Sequence, residues 1–298
     1  MTGGTLKAWV QASRMPFFVA TFIPLFIGWS TAVKATGDAR PGRFLLVLLG
    51  SLIVHLITNL ANDYFDHLVG TDAGESIGGS RVIQEGKISP RVMLRVIITL
   101  YLIAFFIAYV IVFHFGLHLL AIPILFSAFS SYFYVAPPIR YGYHGLGELF
   151  VGINMGPVMV AGTYWVVAGA PALEPLLVSI PVGIMVASIL YYQSLPDMKT
   201  DRAAGKMTLA VRLGRKGAFR GLIVFFILIY GSILWLIVAG LLSPWALASL
   251  ISLLLVIKLI RIVLGTDDWV LLDLHGKYVR MVYFICGLSI IAGIVLKT

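Results

Sequence analysis

Charged residues are scarce in this chain. Asp, Glu, Lys and Arg make up 12% of its 298 residues, against about a quarter in a soluble globular domain. With 60% apolar residues and a mean hydropathy of +0.98, that deficit excludes an ordinary water-soluble fold and indicates a protein embedded in a lipid bilayer. Cysteine is nearly absent. Cys286 stands alone inside the last apolar run, which excludes an internal disulfide and argues against thiol redox chemistry or a cysteine metal centre. A Walker phosphate loop is also missing: five positions before the Gly-Lys pairs at 86–87 and 205–206 stand Arg81 and Thr200, not glycine. The net charge of +9 does not imply nucleic acid, because basic residues of membrane proteins gather in cytoplasmic loops.

A membrane span needs about 20 apolar residues. Nine stretches qualify: 15–34, 44–62, 93–113, 117–135, 146–168, 175–195, 219–241, 244–264 and 280–297. The run from Met15 follows Lys7 and Arg14 as a signal core would, but its length, Pro16 and Pro24 read as a retained first span. The expectation is an all-α, multi-pass protein forming one domain over 1–298. Nine transmembrane helices surround a central cavity open to the cytoplasmic side. Long polar loops, including 63–92 and 196–218, fall on one face. Placing the N-terminus in the cytoplasm and the C-terminus outside puts eighteen of the 22 Lys and Arg inside, leaving Lys34, Arg40, Arg43 and Lys297 outside.

Acidic residues number 13, and five of them lie in two strings at the ends of apolar segments: Asn62-Asp63-Tyr64-Phe65-Asp66 with Asp72 beyond, and Asp197-Met198-Lys199-Thr200-Asp201. Carboxylates are costly near lipid, so pairs kept at a membrane rim need a reason. Asp63 and Asp66 are three apart, Asp197 and Asp201 four apart, and each pair shares a helical face. Like charges that close repel unless a cation sits between them. Mg²⁺ takes one or two carboxylates and fills its shell with water and phosphate oxygens, so two pairs can hold magnesium against one diphosphate. Solvated helix ends are the bland alternative. Each string is followed by a Gly-Lys-x-Ser/Thr tetrad, Gly86–Ser89 and Gly205–Thr208; these two short matches are either chance or a faint parallel repeat, which would bring both strings to one cavity.

Asn62 is a further oxygen donor beside the first pair, or a helix-ending residue. Arg81 and Lys87 share the first loop, Arg202 and Lys206 flank the second pair, Arg140 follows Pro137-Pro138, and Arg14 opens the first span. All can neutralise a leaving diphosphate, although most such residues merely obey topology. Arg91, Arg95, Arg215 and Lys216 fall in that second group. Tyr134 belongs to an aromatic cluster with Phe129, Tyr132, Phe133 and Tyr141, whose faces suit a carbocation or an ordinary interfacial belt. His55, His114 and His118 read as structural.

These strings resemble the UbiA superfamily of intramembrane prenyltransferases. The second string's continuation through Lys206 and Thr208–Gly214 fits, as does Tyr141–Glu148. The last run and the second string are most similar to the dihydroxynaphthoate polyprenyltransferase branch of menaquinone synthesis. The resemblance implies a nine-helix bundle that moves a prenyl group from a polyprenyl diphosphate to an acceptor, often an aromatic ring. It implies magnesium at Asn62, Asp63, Asp66, Asp197 and Asp201, with Arg81 and Lys206 as diphosphate partners. Asp72 is the substitute for the Asp that many members carry where Gly70 stands, and Gln193 and Ser194 replace two Asn of the menaquinone branch. Two alternatives stand beside this one: prenyl transfer to a glycerol phosphate acceptor, and a cation or metabolite transporter. The transporter reading fits poorly, since transporters place ionisable groups near the bilayer midplane.

Overall fold

A computed structural model describes residues 5–70 and 79–297 of the chain. The described residues are helical with no strand. An amphipathic helix, α1 (Leu6–Ser13), precedes α2 (Val19–Thr36), α3 (Pro41–Val69), α4 (Pro90–Tyr109), α5 (Ala121–Phe133), α6 (Gly147–Ile153), α7 (Met159–Ala168), α8 (Leu173–Ser194), the short α9 (Met198–Ala203), α10 (Leu209–Val238), α11 (Leu253–Gly265) and α12 (Gly276–Val295). A π turn at Asn154–Val158, which contains Pro157, joins α6 to α7 in one span. A 3₁₀ segment, Pro244–Ser252, leads into α11.

Among the described residues, eight helical stretches are long and apolar enough to cross a membrane. They match eight of the nine spans expected from hydropathy. The stretch expected at 117–135 is the shorter helix His118–Phe133. Two boundaries move. The second span does not stop at 62 but runs to Val69, so both first-string aspartates lie inside α3, and the loop expected from 63 begins at Gly70. The seventh span begins at Leu209, with a break at Gly214 (φ 64°). Much of the loop expected at 196–218 is therefore helix.

In an apolar medium polar groups must find partners inside the protein. Three buried tyrosines do this across helices. The Tyr191 hydroxyl donates to the Ala218 carbonyl at 2.8 Å, Tyr192 to Leu272 at 2.9 Å, and Tyr283 to Ala20 at 2.9 Å. These bonds tie α8 to α10, α8 to the 3₁₀ turn Trp269–His275 that leads into α12, and α12 to α2. Close approach does the rest. A methyl group at Gly28 would stand 2.4 Å from the Val160 carbonyl oxygen, and one at Gly183 2.6 Å from that of Gly152, so α2–α7 and α6–α8 pack backbone to backbone. The outer surface is apolar, with Phe105, Phe106, Leu254 and Ile227 exposed, as a lipid-facing wall requires. The chain is thus a multi-pass helical membrane protein.

Candidate active site

The last two turns of α3 carry Asn62, Asp63 and Asp66 on one side of the bundle. Pro41 starts this helix and Gly70, at φ 83°, ends it, the usual division of labour between those residues. Asp63 is buried. It accepts from the Ser80 amide at 3.0 Å and from the Ser80 hydroxyl, and it pairs with the Arg14 guanidinium. One carboxylate therefore ties together α3, the loop after it and the end of α1.

The second string folds as α9 with Asp197 immediately before it. The Asp201 amide donates to the Asp197 carbonyl at 2.8 Å. Past α9 the chain turns back at Gly205 (φ 74°) and sends Lys206 between the strings. Its ammonium lies 3.6 Å from Asp66 and 3.9 Å from Asp201. Burial alone would lower the Lys206 pKa; the carboxylates of Asp66 and Asp201 outweigh it and hold the pKa above the ordinary lysine range. The two strings, far apart in sequence, meet around this one cation. Asp66 also accepts from the Tyr143 hydroxyl at 2.5 Å. Above the Tyr143 ring stand Lys206 at 5.4 Å and Arg140 at 5.9 Å.

The remaining nominated residues divide. Arg14 and Tyr134 line the cavity described below, and Arg140 joins the Tyr143 cluster. Lys87 is turned to the surface, paired with Glu85 at 2.5 Å and Gln11 at 2.8 Å. Arg202 donates to the Val211 carbonyl at 2.9 Å and serves the start of α10. Arg81 opens the turn that returns the chain to α4, its carbonyl accepting from the Glu85 amide at 2.9 Å. Asp72 lies outside the described residues. The described residues contain four non-glycine positions with left-handed backbone, all arginines: 14, 40, 81 and 140. Three of them are nominated site residues, and strained backbone gathers at functional positions.

Beside Asn62 and Arg14 opens a chamber of about 230 Å³, lined on its polar side by Thr58, Asn59, Asn62 and Gln193. It continues into a second, apolar chamber of about 160 Å³ between α3, α4, α5 and α7. Ser51, Val54, Ser127, Asn154 and Met159 line both. A charged end therefore grades into a greasy groove, the shape of a molecule with an anionic head and a hydrocarbon tail.

The residues at the charged end suit a hard divalent cation, since every donor there is an oxygen. The Asn62 side-chain oxygen is buried and accepts no hydrogen bond; in a site starved of water such an acceptor calls for a ligand. Among the described residues no three acidic, histidine or cysteine side chains already form a metal cluster. The Lys206 ammonium stands where Asp66 and Asp201 face each other.

Tyr143 and Ser80 were not nominated from the sequence. Nothing at position 80 marks it, since its partner Asp63 is reached through a turn. Tyr143 sits in the quoted run Tyr141–Glu148 but carried no role. Thr58 and Asn59 were not nominated either, although with His55 and Asn62 they fall at i, i+3, i+4 and i+7 on one face of an apolar helix.

A helical membrane bundle whose two acidic strings meet, with Asn62 of the first also lining an amphipathic cavity, defines an intramembrane enzyme of the prenyltransferase class. The chain belongs to the UbiA prenyltransferase family, whose model matches residues 21–268. It is 30% identical over 243 residues to the 1,4-dihydroxy-2-naphthoate octaprenyltransferase of Bacillus subtilis, covering 81% of this chain and 77% of that one. Its fold is similar to the apo structure of a UbiA homolog from Aeropyrum pernix K1, with a TM-score of 0.67 and 18% identity over 93% of this chain and 97% of the other. A UbiA homolog from Archaeoglobus fulgidus, solved bound to DMAPP and Mg²⁺, matches with a TM-score of 0.59 and 16% identity over 95% and 99%.

Proposed function

We propose that this prenyltransferase moves a polyprenyl group from its diphosphate to a hydroxylated aromatic acceptor of the naphthoate type, in a magnesium-dependent reaction. The observation that carries this reading is the Lys206 ammonium shared by Asp66 and Asp201, with Asp66 one helical turn past the cavity-lining Asn62. The acceptor class is supported by the Bacillus subtilis relative, and the metal by the neighbour solved with DMAPP and Mg²⁺.

Asn62, Asp63, Asp66, Asp197 and Asp201 would hold magnesium, which when bound supplies positive charge against the diphosphate. Lys206, Arg14 and Arg140 hold the diphosphate oxygens and take up charge as the C–O bond breaks. The prenyl tail lies in the chamber lined by Tyr101, Ile107 and Ile124, which excludes water from the allylic cation. Tyr134 lines the polar chamber and presents a ring to that cation. The acceptor carbon attacks and the ring recovers its aromaticity. The domain spans the chain, with nine transmembrane helices, and the motif end of the cavity and the N-terminus lie on the cytoplasmic side, as the distribution of basic residues supports.

The experiment is direct. Purified protein with Mg²⁺ and labelled prenyl diphosphates is offered dihydroxynaphthoate, hydroxybenzoate and geranylgeranylglyceryl phosphate. A prenylated naphthoate product is expected. A product with the glycerol phosphate alone, or turnover undiminished in EDTA, contradicts the proposal.

A further inference from the structure

One side chain of the polar chamber has no part in the diphosphate chemistry. His55 stands on α3 seven residues before Asn62, two turns or about 10 Å deeper along the helix. His55, Thr58, Asn59 and Asn62 all line the chamber. Thr58 and Asn59 are committed to the scaffold: the Thr58 hydroxyl meets that of Ser131 at 2.7 Å, and the Asn59 amide donates to the Ser13 carbonyl at 3.0 Å.

His55 is held differently. Its Nδ1 lies 2.6 Å from the hydroxyl of Thr21, a fully buried residue of α2. The Phe18 ring stands 5.0 Å away, tilted by 57°. The imidazole is thus oriented from one edge and one face, while Nε2 makes no hydrogen bond to any described residue. A base whose far nitrogen is fixed by a neighbour has the arrangement of a general base. The other ionisable side chains lining this chamber are Arg14, Tyr134 and Tyr141. A guanidinium has no lone pair to offer, and the Tyr141 hydroxyl is donated to the Ser130 carbonyl at 2.7 Å. Imidazole is the one group there that offers an unengaged nitrogen lone pair.

We propose that His55 Nε2 is the base that takes the hydroxyl proton of the aromatic acceptor, with Thr21 as its positioning residue. The inference rests on the prenyl-transfer reading above. In the tautomer that donates Nδ1–H to Thr21, Nε2 carries the lone pair. The acceptor O–H bond breaks, and its proton goes to Nε2. The oxygen electrons raise the nucleophilicity of the ring carbon, which bonds to the allylic carbon. The allylic C–O bond breaks with its electron pair leaving on the diphosphate. The attacked carbon then loses the carboxyl group as CO₂, or its proton to the departed diphosphate, and imidazolium returns its proton to the acceptor oxygen. The balance needs no further reactant.

The test uses the full-length protein in liposomes with farnesyl diphosphate, Mg²⁺ and dihydroxynaphthoate. His55→Gln keeps a polar group for Thr21 but takes up no proton. It should lower kcat by about 100-fold or more with KM for the diphosphate nearly unchanged. His55→Ala should lose activity that added imidazole restores in proportion to its concentration. Thr21→Val should lower kcat while Thr21→Ser retains it. His55→Gln within about threefold of wild type overturns the proposal, as does a folded His55→Ala protein that imidazole leaves inactive. If wild type transfers no prenyl group to any aromatic acceptor, the functional reading fails together with the inference. If wild type is active and His55→Gln equally so, the inference alone fails.

Discussion

Lys206, five residues past the second acidic string, stands 3.6 Å from Asp66 of the first. That contact joins the two halves of the chain at one point. It also sets two carboxylates, Asp66 and Asp201, around a single positive charge. Such an arrangement holds a cation between like charges that would otherwise repel.

Lys206→Met removes that charge and leaves Asp66 and Asp201 facing each other. The variant should melt at a lower temperature than wild type in EDTA, and added Mg²⁺ should recover most of the loss, because a dication answers the same repulsion. Its KM for prenyl diphosphate should rise at least about tenfold, as for the loss of a charge-assisted contact. Thermal shift in EDTA and in Mg²⁺, with steady-state kinetics, reads both effects.

Tyr143→Phe deletes the hydroxyl on Asp66 but keeps the ring beside Lys206 and Arg140. A hydrogen bond to a charged group is worth about 1.5–3 kcal/mol, so turnover should fall roughly tenfold to a hundredfold with the fold intact. Unchanged turnover would remove Tyr143 from the site.

Ser80→Ala strips the hydroxyl hydrogen bond from Asp63 and leaves the backbone amide of residue 80 and Arg14 as its partners. The loop after α3 is then held by one bond fewer. Proteolysis of that loop should become faster, and turnover should drop about tenfold on the same hydrogen-bond scale.

Val54→Trp narrows the passage shared by the two chambers. Transfer from long polyprenyl diphosphates should fall more steeply than transfer from dimethylallyl diphosphate. Product analysis across donor lengths checks it, and an equal loss for all donors would place the tail elsewhere.

Much of this was legible before any coordinates. Apolar runs are additive properties of neighbouring residues, so eight spans emerged near their observed positions. The acidic strings stood out because carboxylates are rare in a chain this apolar. The two Gly-Lys-x-Ser/Thr tetrads proved to be the same local structure. Gly86 and Gly205 are both left-handed, and Ser89 and Thr208 cap the following helices through the Val92 and Val211 amides, each at 3.4 Å. Their lysines nevertheless go separate ways, Lys87 to Glu85 and Lys206 to Asp66. Local sequence sets the turn, whereas the partner comes from whichever helix packs beside it. For the same reason Tyr143 and Ser80 were missed. Each matters through a carboxylate supplied by another element, and no spacing rule reaches across such a contact.

The central claim, that both acidic strings serve one diphosphate, is tested most directly by a double-mutant cycle on binding. Affinity for an unreactive farnesyl thiodiphosphate in Mg²⁺ is measured for wild type, Asp66→Asn, Asp201→Asn and the double variant. One shared site predicts that each single substitution weakens binding at least about tenfold and that the double variant is little worse than either, a coupling well above the roughly 0.5 kcal/mol scatter of independent sites. Losses that simply multiply would mean that Asp66 and Asp201 act on separate ligands.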